Sequence, residues 1–343
     1  MIKNKKIRIL SVFISALLVA FIAFLCDLPK IDEEKDIQTM NNNDDIIIDT
    51  PIEPPVENPP VEEIPEEIPV EIPVEPIIPE ILDKVSFIPE PLTDNLLNIA
   101  KIHNVIGMSL VVVKNNQVMN TYAYGYQDKE NNVEFSVDSK LRIAAISELI
   151  SSIAVMKLSE EAKFNLDEDI SNYLTFKTGV KAFNDIPVTM RHIMTHTASL
   201  SDYNTYDKII TGEIEYQPLS EIIGLDGKYY NNNNFYGIKP GTTFSHSNFG
   251  GGIIGCVTSA ITTLPFYEYM NEILFTPLNL DASYLSNGIK EPVKISNIYK
   301  QNNLNYNLTE MNAFAESIKE INPADNYRIS QGNLFISAID LSR

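Results

Sequence analysis

Apolar and polar residues first settle into a regular pattern at 108–113 and again at 117–124, two β-rich runs that flank Lys114, Asn115 and Asn116. Strand-forming runs joined by so short a polar link predict an antiparallel hairpin. Farther on, Ile146, Leu149, Ile150, Ile153 and Leu158 fall at helical spacing. That spacing predicts a helix over 145–158 that buries those side chains. Residues 250–263 and 265–274 read as two further helices, the second ending before Thr276-Pro277, because the position ahead of a proline is pushed out of helical geometry. Residues 225–237, rich in asparagine and tyrosine, read as an exposed loop.

The amino-terminal quarter follows neither pattern. Lys3, Lys5, Lys6 and Arg8 precede an apolar run from Ile9 to Cys26. Its length just suffices to cross the hydrocarbon of a bilayer, and the basic flank holds the short end in the cytoplasm. Residues 1–30 are therefore expected to be a signal anchor or transmembrane helix, with a cleaved signal peptide as the alternative. Cys26 is a candidate for lipid modification, although Ala23, Phe24 and Leu25 lack the small residues usual before such a cysteine. Residues 31–82 repeat Glu-Ile-Pro and Val-Glu-x-Pro. Proline this frequent removes amide donors and breaks helix and sheet alike. Acidic self-repulsion extends the segment further, so an acidic Pro-rich stalk reaching on the order of 100 Å is expected. The arrangement predicts a single-pass cell-membrane protein whose domain, residues 83–343, is extracellular in a Gram-positive-type envelope.

Charge narrows the partners. The 343 residues carry 46 acidic against 26 basic side chains, a net charge of −20. Such a balance disfavours nucleic acid. About 260 residues follow the stalk, enough for one sizeable core. Cys26 and Cys256 are the two cysteines, and they cannot pair if one lies at the membrane and the other in a buried helix.

Chemistry enters through one short stretch and four collinear motifs around it. Arg142-Ile-Ala-Ala-Ile-Ser-Glu148 heads the predicted helix. Gly107 to Val118 forms the hairpin, and 158–174 follows the helix. Thr189-Met-Arg-His-Ile-Met-Thr-His-Thr197 and Pro240-Gly-Thr-Thr-Phe-Ser-His-Ser-Asn-Phe-Gly250 complete the set. Together they resemble the serine β-lactamase/DD-peptidase superfamily, most closely its class C and esterase branch. The resemblance implies an α/β (α+β) two-lobed fold, with a mixed-sheet lobe and a helical lobe. Residues 334–343 resemble a stretch that in the family lies well before the terminus, so the C-terminal strands are expected to be missing and the hairpin to keep an unpaired edge.

The same resemblance implies an altered site. Its members carry Ser-x-x-Lys where this chain has Ala145 and Glu148, and a tyrosine where this chain has His246. A serine nucleophile needs its hydroxyl and a base one helical turn on, and both are replaced. The expected reading is a non-catalytic homologue that binds or scaffolds at the cell wall, on peptidoglycan peptide or an envelope protein. The alternative is a serine hydrolase of β-lactamase, carboxypeptidase or esterase type with a rearranged site. Asn248 and Ser147 are the remaining candidates for a binding cleft, Ser147 also matching a structural serine of the family motif. Ser151 and Ser152 read as packing or back-bonding residues. Lys177-Thr178-Gly179 spells another family motif in the wrong place and reads as chance. Glu148 and His246 are expected to face each other as an ion pair. No cofactor is expected, and no metal, because two donors without a third are too few. His192 and His196, four apart, read as scaffold, and His103 has no motif around it.

Overall fold

A computed structural model describes residues 90–300 and 303–343; the expected anchor (1–30) and stalk (31–82) lie outside the described residues. The described chain opens with helix α1 (Glu90–Ile102) and continues into strands β1 (Gly107–Lys114), β2 (Gln117–Asp128), β3 (Val133–Glu134) and β4 (Leu141–Arg142). Helix α2 (Ile146–Glu160) follows, then the short helices α3 (Met190–Met194), α4 (Thr205–Ile210) and α5 (Leu219–Ile223). Helices α6 (Asn248–Thr262) and α7 (Phe266–Met270) come next, with strands β5 (Ile298–Lys300) and β6 (Asn303–Tyr306) behind them. Helix α8 (Leu308–Lys319), strand β7 (Phe335–Ile336) and helix α9 (Ala338–Leu341) close the order.

The hairpin forms where the alternation predicts it. Strands β1 and β2 pair antiparallel from Gly107↔Gly125 to Lys114↔Gln117. Asn115 and Asn116 turn the chain with φ of 53° and 57°, a left-handed pair that asparagine tolerates and that matches strand twist. In the sheet order β1-β2-β3, β1 lies at an edge. Val112 and Val113 are exposed there.

The core gathers around α6, which packs against α2, α3 and α7. Its Phe249, Ile253, Cys256 and Val257 are buried, with Leu158, Met190 and Phe275 in the same cluster. Ser247 caps the helix, its hydroxyl accepting from the Gly250 amide at 3.0 Å. The helix thus starts two residues before the predicted Gly250 and ends at Thr262. Burial pushes the Cys256 thiol well above the ordinary value, so it packs as a small apolar group. After α7 the chain widens into a π-helical turn at Asn271–Phe275, one residue beyond the predicted end.

Two expectations need correction. Helix α2 runs close to the predicted extent, but of the expected apolar set it buries Leu158 and, in part, Ile150, and leaves Ile146, Leu149 and Ile153 exposed. Leu149 is 70% exposed and Ile146 51%, whereas Ser147, Ser151, Ala154, Val155 and Leu158 are buried. Small polar side chains face the core because they fasten neighbouring backbone. Ser147 Oγ accepts from the Leu334 amide at 3.2 Å, and Ser151 Oγ donates to the Ser330 carbonyl at 2.7 Å. The second correction concerns 225–237, which is only partly exposed. Phe235 and Asn234 are buried, Asn234 donating to the Ile222 carbonyl at 2.9 Å and so fixing the loop to α5. Among the described residues no single helix is long and apolar enough to cross a membrane.

Candidate functional site

The three altered positions converge at the junction of α2, α6 and the turn after α3. Ala145 is the N-cap residue of α2, with φ −60° and ψ −17°, and it makes no side-chain capping bond. It presents a methyl group where acyl transfer needs an oxygen. Glu148, one turn on, is buried at 8% exposure. Its carboxyl rests against α6, where a Cβ on Gly251 would come within 2.7 Å of Glu148 Oε1. The missing side chain at Gly251 is what leaves space for the carboxylate.

Glu148 and His246 do face each other, with Oε2 and Nε2 3.8 Å apart. His196 stands nearer, its Nε2 3.5 Å from the same oxygen. The two imidazoles lie 4.5 Å apart between centroids, their planes tilted by 37°. His196 adopts φ 54°, a left-handed backbone uncommon among non-glycine residues. Ser247 N–H donates to its Nδ1 at 3.3 Å. The donors of Glu148, His196 and His246 all lie within 4.8 Å of one another, so the fold supplies a third donor beside the two that the sequence reading counted. His192, by contrast, is scaffold: it closes a capping box with Thr189 at the start of α3.

Electrostatics in the crevice favour neutral groups. Burial pushes the Glu148 carboxyl up to about 7, and the nearby charge of Asp202 adds to the effect. Burial lowers His196, and His246 lowers it further, against an opposing contribution from Asp202. The expected ion pair is thus a proximity in which burial disfavours the charged form of Glu148.

Asp202 is the member of this site that sequence reasoning missed. It accepts from Ser247 Oγ at 2.7 Å, from the Asn248 amide at 2.7 Å and from the Phe249 amide at 2.9 Å. It therefore caps α6 from across the chain, with its charge at the positive end of the helix. Asn248, a cleft candidate, gives its side-chain nitrogen to the same carboxylate at 2.7 Å. Ser147 does not line the cleft; it is fully buried, with its hydroxyl occupied by Leu334. Thr178 of the misplaced motif bonds the Ile223 carbonyl, away from these groups. No local pattern marks Asp202. His196 had a signal in its i, i+4 partner, but that signal pointed equally to scaffold. Two concavities, one including His103 and Tyr299 and the other Tyr306 and Arg328, contain none of Glu148, His196 or His246. Side-chain chemistry, not cavity size, defines the site.

This arrangement, a helix headed by Ala145 and flanked by a crevice under α6, corresponds to the serine-hydrolase fold of β-lactamases and D-alanine carboxypeptidases. Residues 92–343 match the model of the Beta-lactamase family, and the chain belongs to that family. Protein flp of Staphylococcus aureus is 25% identical over 190 residues, which is 54% of this chain and 36% of that protein. The chain thus spans about a third of that relative's length. Among solved structures, the octameric penicillin-binding protein homologue from Pyrococcus abyssi superposes with a TM-score of 0.55 at 19% identity, over 74% of this chain and 54% of that one. FmtA from Staphylococcus aureus superposes at 0.51 with 18% identity, over 77% and 67%. The family comprises serine hydrolases of β-lactamase and carboxypeptidase type.

Proposed function

We propose that this chain is a non-acylating member of the Beta-lactamase family, one that binds or scaffolds at the cell envelope instead of hydrolysing. The observation that carries the reading is Ala145 at the head of α2, followed one turn later by the buried acid Glu148. A methyl group cannot form an acyl-enzyme, and a buried carboxyl pushed up to about 7 is a poor substitute for a lysine base. Nearby hydroxyls do not replace the missing one. Ser147 is buried, Ser151 is held between the Ser330 carbonyl and Tyr284, and Ser247 is committed to Asp202. The apolar run ending at Cys26 and the stalk at 31–82 support membrane attachment with the domain outside. Peptidoglycan peptide is the ligand that the family relationship supports.

Incubation of the full chain with a fluorescent penicillin and with a fluorophosphonate tests the proposal. Intact mass unchanged by either reagent is the expected result, with an active family member labelled in parallel. A stoichiometric adduct, mapped to any serine, would overturn it.

A further inference from the structure

The chain has four histidines, and two of them converge on the only buried glutamate among the described residues. We propose that Glu148, His196 and His246 bind a divalent cation of the zinc class. The site goes beyond the non-acylating reading, which requires only the missing hydroxyl at Ala145.

Spacing is the first argument. A tetrahedral zinc with bonds of about 2.0–2.2 Å holds its donors roughly 3.4 Å apart. Glu148 Oε2 lies 3.5 Å from His196 Nε2 and 3.8 Å from His246 Nε2. A carboxylate hydrogen-bonded to an imidazolium would sit closer, at about 2.7–2.9 Å. These separations are therefore long for an ion pair and near the edge length of a coordination polyhedron. His246 is half-exposed, so it has room to turn the short distance that closes the third edge.

Glu148 supplies an independent observation. It is more than nine-tenths buried, and its Oε1 has no hydrogen-bond partner. No lysine or arginine among the described residues pairs with it, the two histidines being its only basic neighbours within 4.0 Å. A carboxylate left uncompensated in a protein interior costs several kcal/mol, and a cation between it and the imidazoles would offset that. Gly251 shapes the same space, since any Cβ there would strike the carboxyl group.

The donor set selects the ion. Two imidazoles with one carboxylate suit zinc, cobalt or nickel, whereas magnesium and calcium take oxygen ligands. Coordination through His196 Nε2 places its proton on Nδ1 and gives up the 3.3 Å bond from Ser247 N–H. That bond is worth about 1 kcal/mol, against apparent zinc affinities on the order of 10 kcal/mol at structural sites. Three protein donors leave a fourth position for water or an anionic ligand.

Titration of the chelator-treated full chain with zinc chloride, followed by calorimetry, and with cobalt chloride, followed by visible absorption, tests the site. One equivalent of each is expected to bind, cobalt giving the intense bands of a four-coordinate ion. Glu148→Gln, His196→Gln and His246→Gln should each weaken zinc at least 30-fold, and His103→Gln should leave it unchanged. Circular dichroism of the metal-free variants separates a lost ligand from a lost fold. Should His196→Gln unfold, Glu148→Gln and His246→Gln still decide the matter. Absence of one-to-one binding, or binding of full affinity in folded Glu148→Gln and His246→Gln, would refute the site without touching the acylation result.

Discussion

Asp202 Oδ2 lies 2.7 Å from both the backbone and the side-chain nitrogen of Asn248, joining the turn beyond α3 to the first residue of α6. One carboxylate thereby holds the helix that backs the crevice and sets the charge felt inside it. Asp202→Ala leaves the Asn248 and Phe249 amides without this acceptor and removes a negative charge from the helix start. Loss of such a cap costs about 1–2 kcal/mol, measurable by urea denaturation. Because the charge of Asp202 helps raise Glu148, Asp202→Asn should also lower the Glu148 titration midpoint, read by carbon NMR of the labelled carboxyl. A midpoint unchanged or moved upward contradicts this coupling.

The Glu148 carboxyl makes metal-free stability depend on pH in an uncommon direction. Its pKa rises from 4.5 to about 7 on folding, so between those values the native state holds a proton that the unfolded chain releases. Stability from this group is complete below 4.5 and is lost as pH rises through about 7. With partial solvent screening the loss is on the order of 2 kcal/mol. Asp202, His196 and His246 face the same carboxyl, and Glu148→Gln isolates its share. Chelator-treated protein should lose stability from pH 5 to 8 more steeply than the Gln variant. Parallel curves would show that Glu148 does not titrate as described.

Legibility followed the kind of information each element needed. The hairpin was readable because strand alternation and two asparagines agree, and both are local. Helix α2 was readable in length but not in phase. Ser147 and Ser151 face inward to bond Leu334 and Ser330, partners nearly two hundred residues away that hydrophobic spacing does not register. Among the site residues, Ala145, Glu148 and His246 came from motif positions, and the fold brings them together. His196 and Asp202 acquire their roles only through chain crossing, which one sequence does not display.

The phase of α2 can be tested by two substitutions on opposite faces. Leu158 is 1% exposed and Leu149 70%. Leu158→Ala removes a side chain from the core cluster and should cost about 2–5 kcal/mol. Leu149→Lys touches mainly solvent and should change stability by less than about 0.5 kcal/mol. The face expected from apolar spacing alone would make both changes severe. Comparable losses in the two variants, from paired urea titrations, would reverse the orientation assigned to the helix.

Lys140 ties the segment before β4 to the last helix. It is buried, with Nζ 2.6 Å from Asp340 and 3.6 Å from Asp281. Asp340 is also held by Ser337 Oγ at 2.9 Å and lies 3.7 Å from Arg343, so Lys140 is the nearer of its two cations. Lys140→Met would leave Asp281 without its cation and Asp340 with only the 3.7 Å contact to Arg343, a loss of roughly 3 kcal/mol. Asp340→Asn retains Asp281 as a partner and should cost less. The double variant should then be more stable than the sum of the single losses predicts, because removing Lys140 leaves less charge to strand once Asp340 is neutral. Denaturation of all four proteins measures the coupling, and strict additivity would mean that the three groups do not act as a unit.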